Sequence, residues 1–298
     1  MKKTFPRRTF LKSAAVTGAA VALQPHDFST GVLSLKPPMP GLQLWSVRED
    51  LAKDTAGTVK ALAGMGYQKL EGFNLNEGKM FGMTVSEFIK LLKGNGLTMP
   101  SSHCMFKLAD YDEAKKELGD SAKKAIDNAA ALEIPYVIVP WVEVAERTEI
   151  ARLVKVYQAA ANYAKKAGVR LAYHNHDFEF TQRGPDNRLL IEWLLQEIDS
   201  SLIDFEMDIY WVAFSNYTPL DWFRLYPGRW KLCHVKDLAN TTERETVEVG
   251  DGLIDFNAIF KQRDEAGFQH FIIELEHYKT TPLQGVKRAR EGFLKLTF

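Results

Sequence analysis

Long apolar runs are missing from the body of this 298-residue chain. Past the N-terminal segment, no stretch is long and apolar enough to cross a bilayer as a helix, which argues against a membrane-spanning fold. An excess of either charge is also missing. Lys and Arg number 38, Asp and Glu number 38, and the formal net charge is zero. The composition therefore gives no electrostatic reason to bind nucleic acid or an anionic membrane. Cysteine is scarce: Cys104 and Cys233 both sit in apolar, strand-like contexts and read as buried thiols, not as a disulfide framework. There is no internal repeat, no low-complexity tract, no Gly-x-Gly-x-x-Gly after the first strand-like run and no glycine-rich phosphate loop. What is present is ample apolar material, 46% of the residues, enough for one sizeable core.

The first 22 residues read as an export signal peptide. Lys2, Lys3, Arg7 and Arg8 make a basic start, 14–23 is a short run of small apolar residues, and Ala20-Val21-Ala22 is a small-x-small cleavage pattern. The run Arg7-Arg8-Thr9-Phe10-Leu11-Lys12 resembles the twin-arginine signal, departing from it at Pro6. Such a signal predicts an exported, periplasmic protein. Residues 23–39, with Pro25, Pro37 and Pro38, read as a linker. A catalytic domain follows over 40–298.

From residue 40 a short apolar run followed by a helix-period segment recurs eight times. Strands are expected at 41–47, 69–73, 97–103, 136–140, 169–176, 202–208, 230–236 and 271–276. Helices are expected at 51–65, 85–93, 113–132, 149–166, 189–198, 220–226, 256–265 and 283–294. Eight strand-helix units in about 260 residues predict an α/β fold, a single-domain (β/α)8 TIM barrel. An open doubly wound sheet is the alternative, and it lacks its glycine fingerprint.

In such a barrel the working residues sit at the C-terminal ends of the strands. Those ends carry Gln43-Leu44-Trp45-Ser46, Glu71, His103, His174-Asn175-His176, Asp208, His234-Val235-Lys236 and Glu274-Leu275-Glu276. Alternation along a strand puts His174 with His176, His234 with Lys236, and Glu274 with Glu276 on shared faces. Imidazoles and carboxylates gathered from strands five to eight suit one divalent ion, Mn, Co, Zn or Fe in preference to Ca.

In order and spacing, these pieces resemble the sugar phosphate isomerase/epimerase family, with its xylose isomerase-like TIM barrel. The matching segments are Gly41-Leu-Gln-Leu-Trp-Ser-Val47, Tyr173-His-Asn-His-Asp177, Met207-Asp-Ile-Tyr-Trp-Val212 and Gly228-Arg-Trp-Lys-Leu-Cys-His-Val-Lys-Asp237. Val249-Gly-Asp-Gly-Leu-Ile-Asp-Phe256 and Ile272-Ile-Glu274 complete the series. The resemblance implies a divalent ion held by Asp208, His234 and Glu274. It also marks a departure, since His174 stands where the family has a Glu, making the ligand set His174, Asp208, His234 and Glu274.

The resemblance further implies removal of a proton next to a carbonyl, giving a metal-stabilised enediolate. His176, His103, Glu71 and Glu274 are candidate bases. Lys236 is placed to hold an oxygen of the enediolate or of the substrate, or else to pair with Asp237 or a strand-end carboxylate. Trp45 and Trp211 offer flat faces to a sugar, and His103 and Lys236 complete the substrate-binding candidates. The enediolate can end as an epimer, as an aldose-ketose isomer, or by elimination, which in a 3-keto-glycoside expels the glycosidic oxygen. An exported enzyme without a phosphate loop points to an unphosphorylated sugar or keto-glycoside, and a homo-oligomer is compatible with all of this. Two other classes stand beside this reading. A non-catalytic sugar-binding barrel would need no ion. A DNA-repair nuclease is opposed by the neutral charge, the signal and a supply of only seven histidines.

Overall fold

The structure is a computed structural model that describes residues 37–75 and 78–298. The expected signal peptide, and the linker up to residue 36, lie outside the described residues.

Eight parallel strands close on themselves: β1 Gly41–Gln43, β2 Lys69–Gly72, β3 Thr98–His103, β4 Tyr136–Val139, β5 Arg170–His174, β6 Ile203–Asp208, β7 Trp230–Val235 and β8 His270–Ile273. Each strand pairs with its neighbours in sequence, and β8 pairs with β1. This is the expected single-domain (β/α)8 barrel. The main core lies between strands and helices. Leu153, Val154, Tyr157, Ala160, Ala161 and Ala164, for example, recur at helical spacing along Ile150–Lys166 and are buried. Inside the barrel only a thin apolar layer remains, Ile138, Ala172, Leu232 and Ile272. Below it Arg170 grips Asp204 with both prongs of its guanidinium, at 2.8 and 3.0 Å. Above it the interior turns polar, and strand register sets that layer: Gln43 pairs with Glu71, Glu206 with His174, and Asp208 with His234.

Several boundaries differ from the sequence reading, each for a local reason. β1 stops at Gln43 because its side-chain oxygen caps the N–H of Trp45 at 3.0 Å, starting a tight 3-10 turn over Leu44–Val47. The helix expected at 51–65 is two, Arg48–Lys53 and Thr55–Gly64, because Asp54 leaves helical geometry and caps Gly57. The helix expected at 113–132 begins only at Asp120, since Tyr111–Asp112 and Glu117–Leu118 form a hairpin instead. The one expected at 256–265 divides into Phe256–Phe260 and Arg263–Ala266. β5, β7 and β8 end at His174, Val235 and Ile273. His176, Lys236, Glu274 and Glu276 therefore sit on the turns that follow these strands, not on strand faces.

Candidate active site

The polar layer opens into a cavity of about 390 Å³ at the C-terminal mouth of the barrel, within the range of small-molecule sites. Its wall is aromatic, with Trp45, Phe73, Trp141 and Trp211; His103, His174, His176, Glu274 and Glu276 bring the polar groups. Asp208, His234, Lys236 and Glu71 are buried around the same centre without lining the cavity. All the residues singled out in the sequence thus converge, on two levels.

The turns that carry them are tied down by the motif residues. Ser46 Oγ accepts the N–H of Leu275 at 2.9 Å and the carbonyl of Ser46 accepts Tyr278 Oη at 2.6 Å, joining the turn after β1 to the segment that carries Glu274. Asn175 holds the end of β6 by accepting the N–H of Asp208 at 3.1 Å. Glu179 accepts Tyr173 Oη at 2.6 Å and the N–H of His176 at 2.8 Å, fixing the turn on which His176 sits. Asp237 does not meet Lys236. Its carboxylate accepts the N–H groups of Leu238, Gly250, Gly252 and Ile254 at 2.8 to 3.2 Å, which straps down the glycine-rich loop after β7. A Cβ at Gly252 would come within 2.3 Å of that carboxylate, which is why the loop needs glycine there.

Lys236 is buried and points to carboxylates. Its Nζ lies 3.1 Å from Glu274 Oε2 and 3.8 Å from Asp208 Oδ2, and it donates to Glu276 Oε1. Its charge also faces the rings of Tyr210 and Trp211, 5.3 Å from each centroid. Burial opposes that charge, but Glu274 and Asp208 outweigh it and raise the lysine above its ordinary range. One face of Trp211 is therefore already engaged by the protein.

His234 is shared. Its Nε2 lies 2.7 Å from Glu71 Oε1 and 3.2 Å from Glu206 Oε2, and its Nδ1 lies 3.1 Å from Glu274 Oε2 and 3.9 Å from Asp208 Oδ2. His174 is arranged in the same manner, with Nδ1 3.0 Å from Glu206 and Nε2 3.8 Å from Asp208. His103 bridges Glu71 and Glu206 at 3.1 and 3.4 Å. Burial opposes the charge on His103, yet these two carboxylates push the ring up to about 9. His174 and His176 go the other way, burial holding both well below the usual histidine range. Burial also pushes Asp208 up to about 6, against the pull of Lys236 and His234.

Among the described residues, two overlapping groups have the spacing to hold a divalent ion. One is Asp208, His234 and Glu274; the other is His103, His174, Glu206 and His234. The donor chemistry fits, and so does the hydrogen bonding, because Asp208 Oδ2 and Glu206 Oε1 are buried without any hydrogen-bond partner. Glu206 escapes a reading of strand six that stops at its last residue, although the alternation Asp204, Glu206, Asp208 places all three inside the barrel. Gln43 was legible as a strand-end residue but not in its role. Its amide donates to Glu71 Oε1 at 2.8 Å while its oxygen caps the turn after β1.

Comparisons with known proteins bear on the fold and the family. An inosose dehydratase of Lacticaseibacillus casei is 25% identical over 162 residues, 48% of this chain and 53% of that protein. One of Clostridium beijerinckii is 26% identical over 147 residues, 43% of this chain and 48% of that protein. The chain thus spans about half the length of these curated relatives. Two sugar phosphate isomerase/epimerase structures from Parabacteroides distasonis superpose over nearly the whole barrel. One has a TM-score of 0.75 at 26% identity and covers 86% of this chain and 97% of its own. The other has a TM-score of 0.74 at 28% identity and covers 91% and 100%. At the N-terminus, residues 4–23 match the twin-arginine translocation signal, which marks the protein for export. With the sequence profile of the family matched over residues 59–296, the chain belongs to the xylose isomerase-like TIM barrel family.

Proposed function

We propose that the protein is a metal-dependent sugar isomerase or epimerase that removes a proton next to a carbonyl of an unphosphorylated sugar. The observation that carries this reading is the partnerless carboxylate oxygen of Asp208, set beside His234 and Glu274 at the foot of an aromatic-walled cavity. His174, whose Nε2 faces the same oxygen, completes the ligand set. Glu206 and Glu71 stand behind His174 and His234 and fix the two rings, as outer carboxylates do for metal-binding imidazoles. A divalent ion held there supplies positive charge that stabilises the oxygens of an enediolate.

His176 is the base this geometry favours. It lines the cavity, its Nδ1 has no hydrogen-bond partner, and its turn is fixed by Glu179. His103 also lines the cavity, with its Nε2 held between Glu71 and Glu206. Glu71 lies below the cavity wall, where it orients His103 and His234 and is not positioned to reach substrate. Lys236 holds Glu274 and Glu276 and turns its remaining charge toward the cavity floor. Trp45 and Trp211 supply stacking faces.

Elimination is the second reading. Its support is His174 in the place of a second flanking carboxylate, together with relatives named as dehydratases. A site with one base and nearby protonated groups suits loss of a leaving oxygen better than two-sided reprotonation. Proton NMR in deuterated water, with ketoses, aldoses and 3-keto-glycosides, separates the two, using Asp208→Ala as the blank. Deuterium entering next to the carbonyl with all bonds retained identifies an isomerase or epimerase, and release of the leaving group identifies a lyase. Absence of both signals across the panel would refute proton abstraction.

A further inference from the structure

We propose a second, deeper metal position in the barrel, formed by His103, Glu71, His234 and Glu206. It rests on the reading above only in that the upper position is the one proposed there, and the two share His234 alone.

Four ligand atoms follow one another around a ring: His103 Nε2 to Glu71 Oε1 at 3.1 Å, Glu71 Oε1 to His234 Nε2 at 2.7 Å, His234 Nε2 to Glu206 Oε2 at 3.2 Å, and Glu206 Oε2 back to His103 Nε2 at 3.4 Å. An ion with bonds of about 2.0–2.2 Å to nitrogen and oxygen holds neighbouring ligand atoms about 3 to 3.5 Å apart. Three of the four spacings fall in that range, and the Glu71–His234 contact, at 2.7 Å, is shorter. It draws on four strands, β2, β3, β6 and β7, at the level where the interior changes from apolar to polar. Two carboxylates neutralise a divalent charge, and two imidazoles select a transition ion over calcium.

Two further observations point to an ion and not only to a proton network. Glu206 keeps Oε1 fully buried with no partner, so its bonding capacity is not used up within the protein. The ligands are also braced from behind. Gln43 and Ser101 donate to Glu71 at 2.8 and 2.5 Å, and His174 Nδ1 lies 3.0 Å from Glu206. Outer contacts of this kind orient metal ligands. His234 offers Nε2 to the deep position and Nδ1 to the upper one, so with both filled the ring would bridge them as an imidazolate, having given up every ring proton it carried.

The test counts ions. The exported protein, purified after signal cleavage, is stripped with a chelator, reloaded with Zn(II), desalted and analysed by plasma mass spectrometry, with circular dichroism as a folding control. Two ions per chain are expected, falling to one in Glu206→Leu and to one in Asp208→Ala. Glu206→Gln keeps the side-chain shape should leucine disturb folding, and Co(II) absorption titrated into it should saturate at one equivalent, against two for the wild type. A single ion in the wild type, lost in Asp208→Ala and kept in Glu206→Leu, would overturn the deep position and leave the proposed function standing. Two ions retained in Glu206→Leu and Glu206→Gln would overturn the deep position as well. No ion in the wild type would overturn both.

Discussion

Trp45 is 41% exposed although it sits on the turn that ends β1. Its ring is held by Arg48, 4.6 Å from the centroid, and by the edge of Phe73 at 5.3 Å, and it faces the cavity. A large aromatic kept at the mouth in this way contributes little to the core and is free to stack on a ligand. Trp45→Ala should raise KM by about 3- to 10-fold with kcat and the melting temperature little changed, the signature of lost uniform binding. His176 belongs to the opposite category. It is wedged edge-on against Trp141 at 4.7 Å, and its free nitrogen is useful only if chemistry uses it. His176→Gln should lower kcat by about 10²- to 10⁴-fold in the deuterium-exchange assay while leaving metal content intact. Exchange at the wild-type rate would move the base elsewhere, to Glu274 first.

The segment after β5 is an element whose stability should answer to pH. Burial pushes Glu179 up to about 7 from its ordinary 4.5, against the hydrogen bonds from Tyr173 and His176 that lower it. Between these values the folded protein keeps a proton that the unfolded chain has lost. Stability therefore falls as pH rises through this window, by about 3 kcal/mol for a shift of this size. Glu179→Gln should remove that slope. Melting curves at pH 5 and pH 8 should then differ less for the variant than for the wild type, and an unchanged difference would reject the ionisation. At this scale, sequence reading succeeded where periodicity is strict. All eight strands were legible because each is a short apolar run between turn residues, and the strand ends marked the working face. It failed where a single side chain redirects the backbone. Gln43 and Asp54 cap turns that interrupt β1 and its helix, and no periodicity reports a cap bonded two or three residues on. Glu206 was hidden for a different reason. A carboxylate in mid-strand reads as a break in an apolar run, and only barrel closure shows that it faces His103, His174 and His234. The Val249–Phe256 motif was legible as a motif but not in its purpose, because Asp237, which straps it, lies before the loop in sequence and meets it only in space.

At the scale of the molecule, the barrel gathers five carboxylates, Glu71, Glu206, Asp208, Glu274 and Glu276, with one lysine and four histidines at its mouth. Buried charges of like sign are costly unless paired, and neither Asp208 Oδ2 nor Glu206 Oε1 receives a hydrogen bond, Asp208 Oδ2 meeting His174, His234 and Lys236 only at 3.8 to 3.9 Å. Binding an ion there couples to the whole fold, because an ion that binds only the folded state stabilises it by mass action, about 2.7 kcal/mol at one hundred times its dissociation constant. The protein stripped of metal should therefore melt several degrees below the protein loaded with Zn(II), Mn(II) or Co(II). Ca(II) should restore little, since two of the proposed ligands are imidazoles. Asp208→Asn should lose most of the gain, while the metal-free form of this variant should melt close to metal-free wild type, because the amide oxygen can still cap the N–H of Trp211, 3.1 Å away in the wild type, and only a buried negative charge is removed. That second comparison is the discriminating one. If the charge of Asp208 served only to balance Lys236 and the histidines, its removal would lower the melting temperature with or without metal. If it is held in readiness for an ion, its removal is harmful only when the ion is there to bind. The twin-arginine signal at residues 4–23 bears on the same point. A chain exported already folded can carry its ion with it, so a fold that depends on metal for its last few kcal/mol is compatible with that route.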